Sequence, residues 1–293
     1  MTSTRERRSS TDRRRTAAER SQALSAAIEG KQVEILFQPQ FACADERLIG
    51  AEALARWNHP QRGMIGIDAL FTLAASAHDA TMLTHHIATR ALAAATHWPD
   101  PLRLSINATA ADIAAEDFAG TLGRLVREST FPAERLTLEL TEQALVHDID
   151  GSAAQLARLA EGGMRIALDD FGAGFCNFRY LKILPLHYLK LDRSMVEGIA
   201  TDERDAAVLR AIVAMAGALD IAVVAEGIED DAQLEKVRDE GCMAFQGFVR
   251  ARPMGIEAFV KFASQDNEAR VFGCSLNPQR RLETPTASGA PAA

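Results

Sequence analysis

Short apolar runs alternate with longer amphipathic stretches along most of this 293-residue chain. The runs have the length of β-strands, and the stretches between them have the length and periodicity of helices. Parallel strands need such crossover segments, so the order predicts an α/β protein with a (β/α)8 TIM-like barrel. A doubly wound open sheet is the alternative, but no glycine-rich GxGxxG turn follows an early strand. The predicted strands are Val33–Phe41, Leu48–Trp57, Leu102–Asn107, Leu136–Thr141, a run from Met164 to Asp169, His187–Leu191, Ala222–Glu226 and Ala244–Gln246, and the predicted helices are Ile67–His78, Thr81–Thr96, Ala115–Arg127, Ser152–Glu161, Glu203–Leu219 and Asp231–Glu240.

The two ends of the chain differ in composition from the part between them. Residues 1–22 are rich in arginine, serine and threonine, and residues 267–293 end in a stretch rich in proline, alanine and threonine. Such segments have too little apolar surface to join a core, so both are predicted to be disordered tails. Residues 23–266 contain no internal repeat and no long linker, and they are predicted to form one domain.

Charge, cysteines and hydropathy exclude several classes of protein. The formal net charge is −8, which gives no general electrostatic attraction to nucleic acid. The four cysteines form no CxxC pair, which predicts free thiols in a reducing compartment, the cytoplasm. No apolar run approaches the ~20 residues that cross a bilayer, so no membrane partner is expected.

The ends of successive predicted strands carry polar side chains. Because side chains alternate along a strand, the residue two positions before each polar one shares its face. Those preceding residues are mostly small or polar, whereas the opposite face is apolar and suited to packing against helices. The pattern predicts a barrel interior with a polar ring at its carboxyl mouth, where such barrels hold their active sites. The ring consists of Glu52, Asn107, Glu139, Asp169, Lys190, Glu226 and Gln246.

The composition of this ring predicts a site for hard divalent cations. Asp169 is followed by Asp170, and such a pair on its own is compatible with a solvated turn as well as with a metal site. Together with the other ring carboxylates, and without cysteine or ligand-spaced histidine, the set suits Mg²⁺ or Mn²⁺. The negative charge is enough for two cations roughly 3.5–4 Å apart. Arg56 lies four residues beyond Glu52 on the same strand face and is placed to neutralise a substrate phosphate.

Many of these residues stand in motifs that resemble those of one family. The run EALARW at 52–57 is similar to the signature of the EAL family of cyclic di-GMP phosphodiesterases. The resemblance covers about Ala26 to Phe262, and it implies a modified barrel whose first strand runs antiparallel. The other matching motifs are FQP at 37–39, NAT at 107–109, ELTE at 139–142, DDFGAG at 169–174, LKLD at 189–192, AEGIE at 225–229 and QGF at 246–248.

The resemblance also implies roles for the matching residues. Two cations, Mg²⁺ or Mn²⁺, would activate a water that hydrolyses cyclic di-GMP to linear pGpG. Lys190 would orient this water, and Glu226 would act as the general base. The implied metal ligands are Glu52, Asn107, Glu139, Asp169, Asp170, Glu226 and Gln246, and the implied substrate-binding residues are Gln38, Leu54 and Arg56.

A third implied group couples the loop after Asp170 to a homodimer, and it comprises Glu142, Gly172, Gly174 and Phe175. Glu142 lies three residues beyond Glu139, so the two point to opposite faces of an extended strand, and Glu139 is the expected ligand. The loop departs from the family pattern, because Cys176 and Asn177 stand where serines are usual. The alternative function is therefore a catalytically weak or inactive cyclic di-GMP receptor or protein-interaction module of the same fold. A regulatory protein is a further expected partner.

Overall fold

The computed structural model describes residues 17–61, 63–66, 70, 71, 73, 74, 76–145, 148–174 and 178–271. Several features predicted from the sequence lie outside these ranges: residues 1–16 of the N-terminal tail, Phe175, the substituted Cys176 and Asn177, and the chain after residue 271.

Eight strands close into a barrel, which confirms the predicted fold. The described residues contain the strands β1 (Val33–Ala42), β2 (Leu48–His59), β3 (Gly63–Gly66), β4 (Arg103–Asn107), β5 (Leu136–Thr141), β6 (Arg165–Phe171), β7 (Tyr188–Leu191), β8 (Ala222–Glu226) and β9 (Ala244–Gln246). Their order is β1-β9-β8-β7-β6-β5-β4-β2, and β2 pairs with β1 to close the ring. β3 was not predicted from the sequence; it extends the sheet beyond β2 as an antiparallel hairpin partner.

β1 runs antiparallel to both of its neighbours in the barrel. It pairs with β2 from Val33 opposite Trp57 to Phe41 opposite Leu48, and with β9 at Gln40 opposite Gln246. The chain between β1 and β2 covers only residues 43–47. Because a parallel crossover needs a dozen or more residues, this short connection can join only antiparallel strands. The inverted first strand implied by the family resemblance is confirmed.

Helices surround the barrel and fill most of the connections between its parallel strands. None of those in the described part of the chain is long and apolar enough to cross a lipid bilayer. In chain order they are α1 (residues 17–29), α2 (Ala77–Ala95), α3 (Ala110–Ile113), α4 (Phe118–Ser129), α5 (Glu142–Leu145), α6 (Ile149–Glu161), α7 (Phe178–Ile183), α8 (Glu203–Gly217), α9 (Asp231–Asp239) and α10 (Ile256–Val271).

The predicted break between His78 and Thr81 is wrong, because both belong to the continuous helix α2. Ser76 is the N-cap residue of this helix, and its hydroxyl accepts a hydrogen bond from the backbone N–H of Asp79 at 3.2 Å. Such a cap satisfies one of the N–H groups that the first turn leaves without a partner. Helix α2 therefore starts inside the segment that had been assigned to a preceding helix.

Both predicted tails extend too far into the folded domain. Residues 17–22 are helical and belong to α1, in which Leu24 and Ala27 are 0% and 1% exposed. The hydroxyl of Ser21 donates a hydrogen bond to Oδ1 of Asp79 at 2.9 Å, which attaches α1 to α2. Residues 267–271 likewise complete α10, whose Phe259 is fully buried. In α1 the burial of Leu24 and Ala27 outweighs the polar composition of residues 17–22, on which the prediction of disorder was based.

The barrel strands carry the predicted alternation between an apolar outer face and a polar interior. Leu104, Leu138 and Ile166 are at most 1% exposed and belong to the core between strands and helices. Ser105 and Thr137, one residue away on the same strands, line the barrel interior. The alternation directs the polar residues near the strand ends to the carboxyl mouth.

Candidate active site

Lys190 lies at the centre of the polar ring and contacts four carboxylates. Its Nζ atom is 2.5 Å from Oε2 of Glu139, 2.8 Å from Oε1 of Glu226, 3.1 Å from Oδ1 of Asp169 and 3.4 Å from Oε2 of Glu52. The Lys190 side chain is only 2% exposed. One ammonium group cannot neutralise four carboxylates, so the ring keeps an excess of negative charge that favours a cation.

Glu52 is held in place by the two carboxamides of the ring. Nδ2 of Asn107 donates to Oε1 of Glu52 at 2.8 Å, and Nε2 of Gln246 donates to Oε2 at the same distance. These bonds leave the carbonyl oxygen of each amide available, and in the described part of the chain the buried Oε1 of Gln246 has no hydrogen-bond partner. A buried acceptor of this kind is costly unless water or a cation contacts it.

A bulge in β6 brings Asp169 and Asp170 to the same side of the strand. Leu168 pairs with Leu189 and Phe171 pairs with Leu191, so two aspartates lie opposite the single residue Lys190. Asp170 has a φ of 55°, which is strained for a residue with a side chain. In a regular strand its carboxylate would point away from that of Asp169, whereas here both lie close to Glu226. The sequence alone gave no signal for this bulge.

Burial and the neighbouring charges shift the pKa values of the ring carboxylates in opposite directions. Burial opposes the ionisation of Glu52, but the charge of Lys190 and the amide hydrogen bonds hold the pKa of Glu52 below its usual value. Burial, reinforced by the other carboxylates, raises the pKa of Glu139 well above its usual range. Burial likewise raises the pKa of Glu226 to about 8.

The pKa values of two further groups are shifted by burial and by the neighbouring charges. Burial and the adjacent Asp169 raise the pKa of Asp170. Burial alone would lower the pKa of Lys190, but the four surrounding carboxylates raise it well above its usual value. The directions of these pKa shifts indicate that the ring carries more negative charge than the ammonium of Lys190 offsets.

The carboxylates form two overlapping groups that fit a pair of cations. Glu52, Glu139 and Asp169 offer oxygen atoms within 4.8 Å of one another, and Asp169, Asp170 and Glu226 form a second group of the same size. Asp169 belongs to both. All the donors are oxygens, which suits hard cations such as Mg²⁺ and Mn²⁺. The residues present therefore fit the metals implied by the family resemblance.

The predicted substrate-binding residues lie at the rim of the mouth on the first two strands. Gln38 on β1 pairs directly with Glu52 on β2, and Leu54 and Arg56 continue β2 beyond Glu52. All three rim residues are half-buried, whereas Ala53 and Ala55 between them are buried in the core. Nη1 of Arg56 donates a hydrogen bond to the carbonyl of Ala55 at 2.9 Å, and the guanidinium has further N–H groups that make no other side-chain hydrogen bond shown among the described residues.

The residues predicted to couple a loop to a dimer are placed separately from the ring. Glu142 begins helix α5 and belongs to neither carboxylate group, and its role in coupling the loop stays a prediction. Gly172 has a φ of 102°, and a Cβ there would lie 2.3 Å from Cγ of Met195, so only glycine fits. A Cβ at Gly174 would meet no atom of the described residues within 4 Å, and Phe175 lies outside those residues.

A small cavity of about 30 Å³ lies inside the barrel beneath Lys190, and its lining includes residues that had not been singled out from the sequence. Gln40 lines it together with Glu139, and Arg103 donates a hydrogen bond to the hydroxyl of Tyr188 at its edge. A cavity of this size accommodates a water molecule where polar groups surround it. Gln40 could have been found from its two-residue spacing to Gln38, which places both on one face of β1.

Together these features define a class of protein: a modified (β/α)8 barrel with an inverted first strand and an acidic, oxygen-rich site at its carboxyl mouth. A comparison with family models is more specific. The model of the EAL domain matches residues 21–253, and this chain belongs to the EAL domain family, a family of phosphodiesterases.

Curated relatives agree with this assignment. The chain is 35% identical over 245 residues to the cyclic di-GMP phosphodiesterase NbdA of Pseudomonas aeruginosa, covering 82% of this chain and 31% of NbdA. It is 33% identical over 238 residues to the bifunctional diguanylate cyclase/cyclic di-GMP phosphodiesterase MucR of the same species, covering 80% of this chain and 35% of MucR. The chain thus spans about a third of the length of these relatives.

Solved structures show the same fold. A PaMucR phosphodiesterase in complex with c-di-GMP superposes with a TM-score of 0.76 at 32% identity, covering 82% of this chain and 99% of that one. The EAL enzyme Bd1971, in a form bound to cAMP and cyclic di-GMP, gives a TM-score of 0.80 at 26% identity, covering 88% of this chain and 72% of that one.

Proposed function

We propose that this protein is a metal-dependent phosphodiesterase that hydrolyses cyclic di-GMP to linear pGpG. The observation that carries the proposal is the pair of carboxylate groups that share Asp169 around Lys190. Relatives named as cyclic di-GMP phosphodiesterases and neighbours solved with c-di-GMP support the choice of substrate. The cofactors would be two ions of Mg²⁺ or Mn²⁺.

The division of the ligands follows the roles implied by the family resemblance, and the two carboxylate groups that share Asp169 support it. Glu52, Asn107, Glu139 and Asp169 would hold one cation, and Asp169, Asp170, Glu226 and Gln246 would hold the other. When bound, such cations acidify water and neutralise charge on a phosphate. The chain itself contributes the fixed geometry, because Lys190 and the two carboxamides keep the carboxylates oriented before a ligand arrives.

The remaining steps are assigned to side chains that face the mouth. Glu226 would accept the proton of the attacking water, since burial places its pKa at about 8, near the range suited to a general base. Lys190, 2.8 Å from Glu226, would orient that water and offset the negative charge that develops as the 3′ oxygen departs. Arg56, with Gln38 and Leu54 beside it on the rim, would hold the dinucleotide.

Assembly and location are further parts of the proposal. A homodimer is proposed in which Glu142, Gly172, Gly174 and Phe175 couple the loop after Asp170 to the metal ligands, and a regulatory protein partner is compatible with it. Cys43 and Cys242 are free and buried, which fits the reducing cytoplasm predicted from the sequence.

Incubation of the purified protein with cyclic di-GMP, followed by chromatographic separation of the products, tests the proposal. We expect pGpG with Mg²⁺ or Mn²⁺ and none with chelator or Ca²⁺, whose larger size and flexible coordination distort a tight octahedral site. Glu139→Gln should abolish turnover. Its matched control is Glu134→Gln, because Glu134 is exposed in the 3₁₀ turn just before β5. Equal turnover in chelator would contradict the two-metal mechanism, and binding of cyclic di-GMP without turnover would establish the receptor alternative.

A further inference from the structure

A second, larger cavity lies outside the barrel, between helices α4 and α6. Its volume is about 410 Å³, and no residue of the polar ring lines it. Volumes of roughly 300–1,000 Å³ are typical of small-molecule pockets. Gln155 of α6 joins the two helices beside the cavity, because its Oε1 accepts from the backbone N–H of Ala119 at 3.2 Å. The cavity is therefore a feature of a fixed helix pair, separate from the proposed catalytic site.

Glycine at position 123 keeps this cavity open. Glycine within a helix costs about 1 kcal/mol relative to alanine, and a close approach of a neighbouring helix often explains its presence. Here a Cβ at Gly123 would meet only Nη1 of Arg127, at 3.4 Å. No atom of α6 lies near enough to require glycine. Glycine at this position therefore lowers the stability of the helix and leaves space that a larger side chain would occupy.

The lining of the cavity combines an apolar surface with two cations. Val126, Leu159 and Met164 are 3%, 2% and 3% exposed and provide the apolar part. Arg127 is exposed, and the described residues show no ion pair for it. Arg158 pairs with Asp117 at 3.5 Å, with side chains 55% and 62% exposed.

An exposed pair such as Arg158–Asp117 contributes at most about 1 kcal/mol, so it would be exchanged for a ligand at little cost. Both arginines are therefore available to an anion. A guanidinium offers a planar set of donors that matches a carboxylate or a phosphate.

We propose that this cavity is a binding site for a small amphipathic anion, a carboxylate or phosphate carried on an apolar body. The apolar body would contact Val126, Leu159 and Met164, and the anionic group would contact Arg127 and Arg158. This binding needs no residue of the polar ring, so it is independent of whether cyclic di-GMP is hydrolysed.

Nuclear magnetic resonance of the full chain labelled with [methyl-¹³C]methionine tests the proposal. Met164 lines the cavity, and its methyl signal is identified by its loss in Met164→Leu. Titration with octanoate and with octyl phosphate should shift this signal saturably, and the two arms distinguish a carboxylate from a phosphate ligand. Neutral octanol should bind at least about tenfold more weakly, because hydrogen bonds to charged groups contribute about 1.5–3 kcal/mol.

Two sets of variants separate specific binding from general apolar adsorption. Gly123→Leu fills the cavity and should weaken binding of octanoate about tenfold or more, whereas Gly123→Ala gives a similar gain in helix propensity while leaving most of the space. The double variant Arg127→Gln/Arg158→Gln should remove the preference for anions over octanol. Absence of a saturable Met164 shift with either anion, or unchanged binding in Gly123→Leu, would overturn the proposal.

Discussion

Replacing Glu226 with glutamine should flatten the pH dependence of the free energy of unfolding of the metal-free protein. Burial raises the pKa of Glu226 to about 8 in the folded state, whereas the unfolded chain has the ordinary value of about 4.3. Between these values the folded state holds a proton that the unfolded state has released. The stability contributed by this proton is complete below the unfolded pKa and is lost as the pH rises towards the folded one.

The size of the effect follows from this one-proton difference. Stability should fall by about 1.4 kcal/mol per pH unit inside the window, or about 3 kcal/mol over two units. The pKa of Glu139 is also raised, so Glu139 contributes a fall of stability with pH in the wild-type protein and in Glu226→Gln alike. Glu226→Gln mimics the protonated side chain, so the variant should lose the part of the slope that Glu226 contributes.

Urea unfolding in chelator provides the measurement. The intrinsic fluorescence of the two tryptophans, Trp57 and Trp98, reports unfolding because both are buried, and the midpoint and m-value give the free energy at each pH. Glu134→Gln is the control for loss of an exposed carboxylate. If Glu226→Gln and the wild-type protein show equal slopes from about pH 5.5 to pH 7.5, the assignment of the shifted pKa to Glu226 is wrong.

Four other substitutions test the metal ligands, the loop coupling, the substrate contact and the docking of α1. Glu139→Gln should abolish hydrolysis at every workable Mn²⁺ concentration, whereas Glu142→Gln should lower activity and weaken the dimer, with partial recovery of activity at high Mn²⁺. Metal titration of hydrolysis and sedimentation measure these effects. An equal loss of activity in both variants that Mn²⁺ does not restore would contradict the two roles. Arg56→Ala should raise KM for cyclic di-GMP about tenfold through loss of a charged hydrogen bond, and an unchanged KM would exclude phosphate contact. Leu24→Ala should destabilise the protein by about 2–5 kcal/mol in urea unfolding, because a fully buried leucine is truncated; a change below about 0.5 kcal/mol would show that α1 is not docked.

The barrel and its ring could be predicted because both follow from local periodicity. Alternation along β4 and β5 directs Ser105 and Asn107, and Thr137 and Glu139, to the interior, whatever surrounds them. The inverted first strand was implied by the family resemblance. It also follows from the connection at residues 43–47, which is too short for a parallel crossover.

Other features depend on contacts that no local pattern encodes. The bulge that turns Asp170 towards Asp169 arises from the register between β6 and β7, which a single strand does not specify. The polar composition of residues 1–22 predicted disorder. Residues 17–22 nevertheless belong to a helix that is docked by the burial of Leu24 and by the Ser21–Asp79 hydrogen bond. The cavity beside Gly123 likewise results from the placement of two helices far from the mouth.

Anomalous diffraction from crystals grown with Mn²⁺ and cyclic di-GMP tests the two-metal site itself. We expect two anomalous peaks roughly 3.5–4 Å apart, with Asp169 contacting both, Glu52 and Glu139 contacting one, and Glu226 on the side of the other. Glu139→Gln crystals should lose the peak beside Glu52. A ring that contains no peak at saturating Mn²⁺, with Lys190 still contacting all four carboxylates, would contradict the two-metal site and the function built on it.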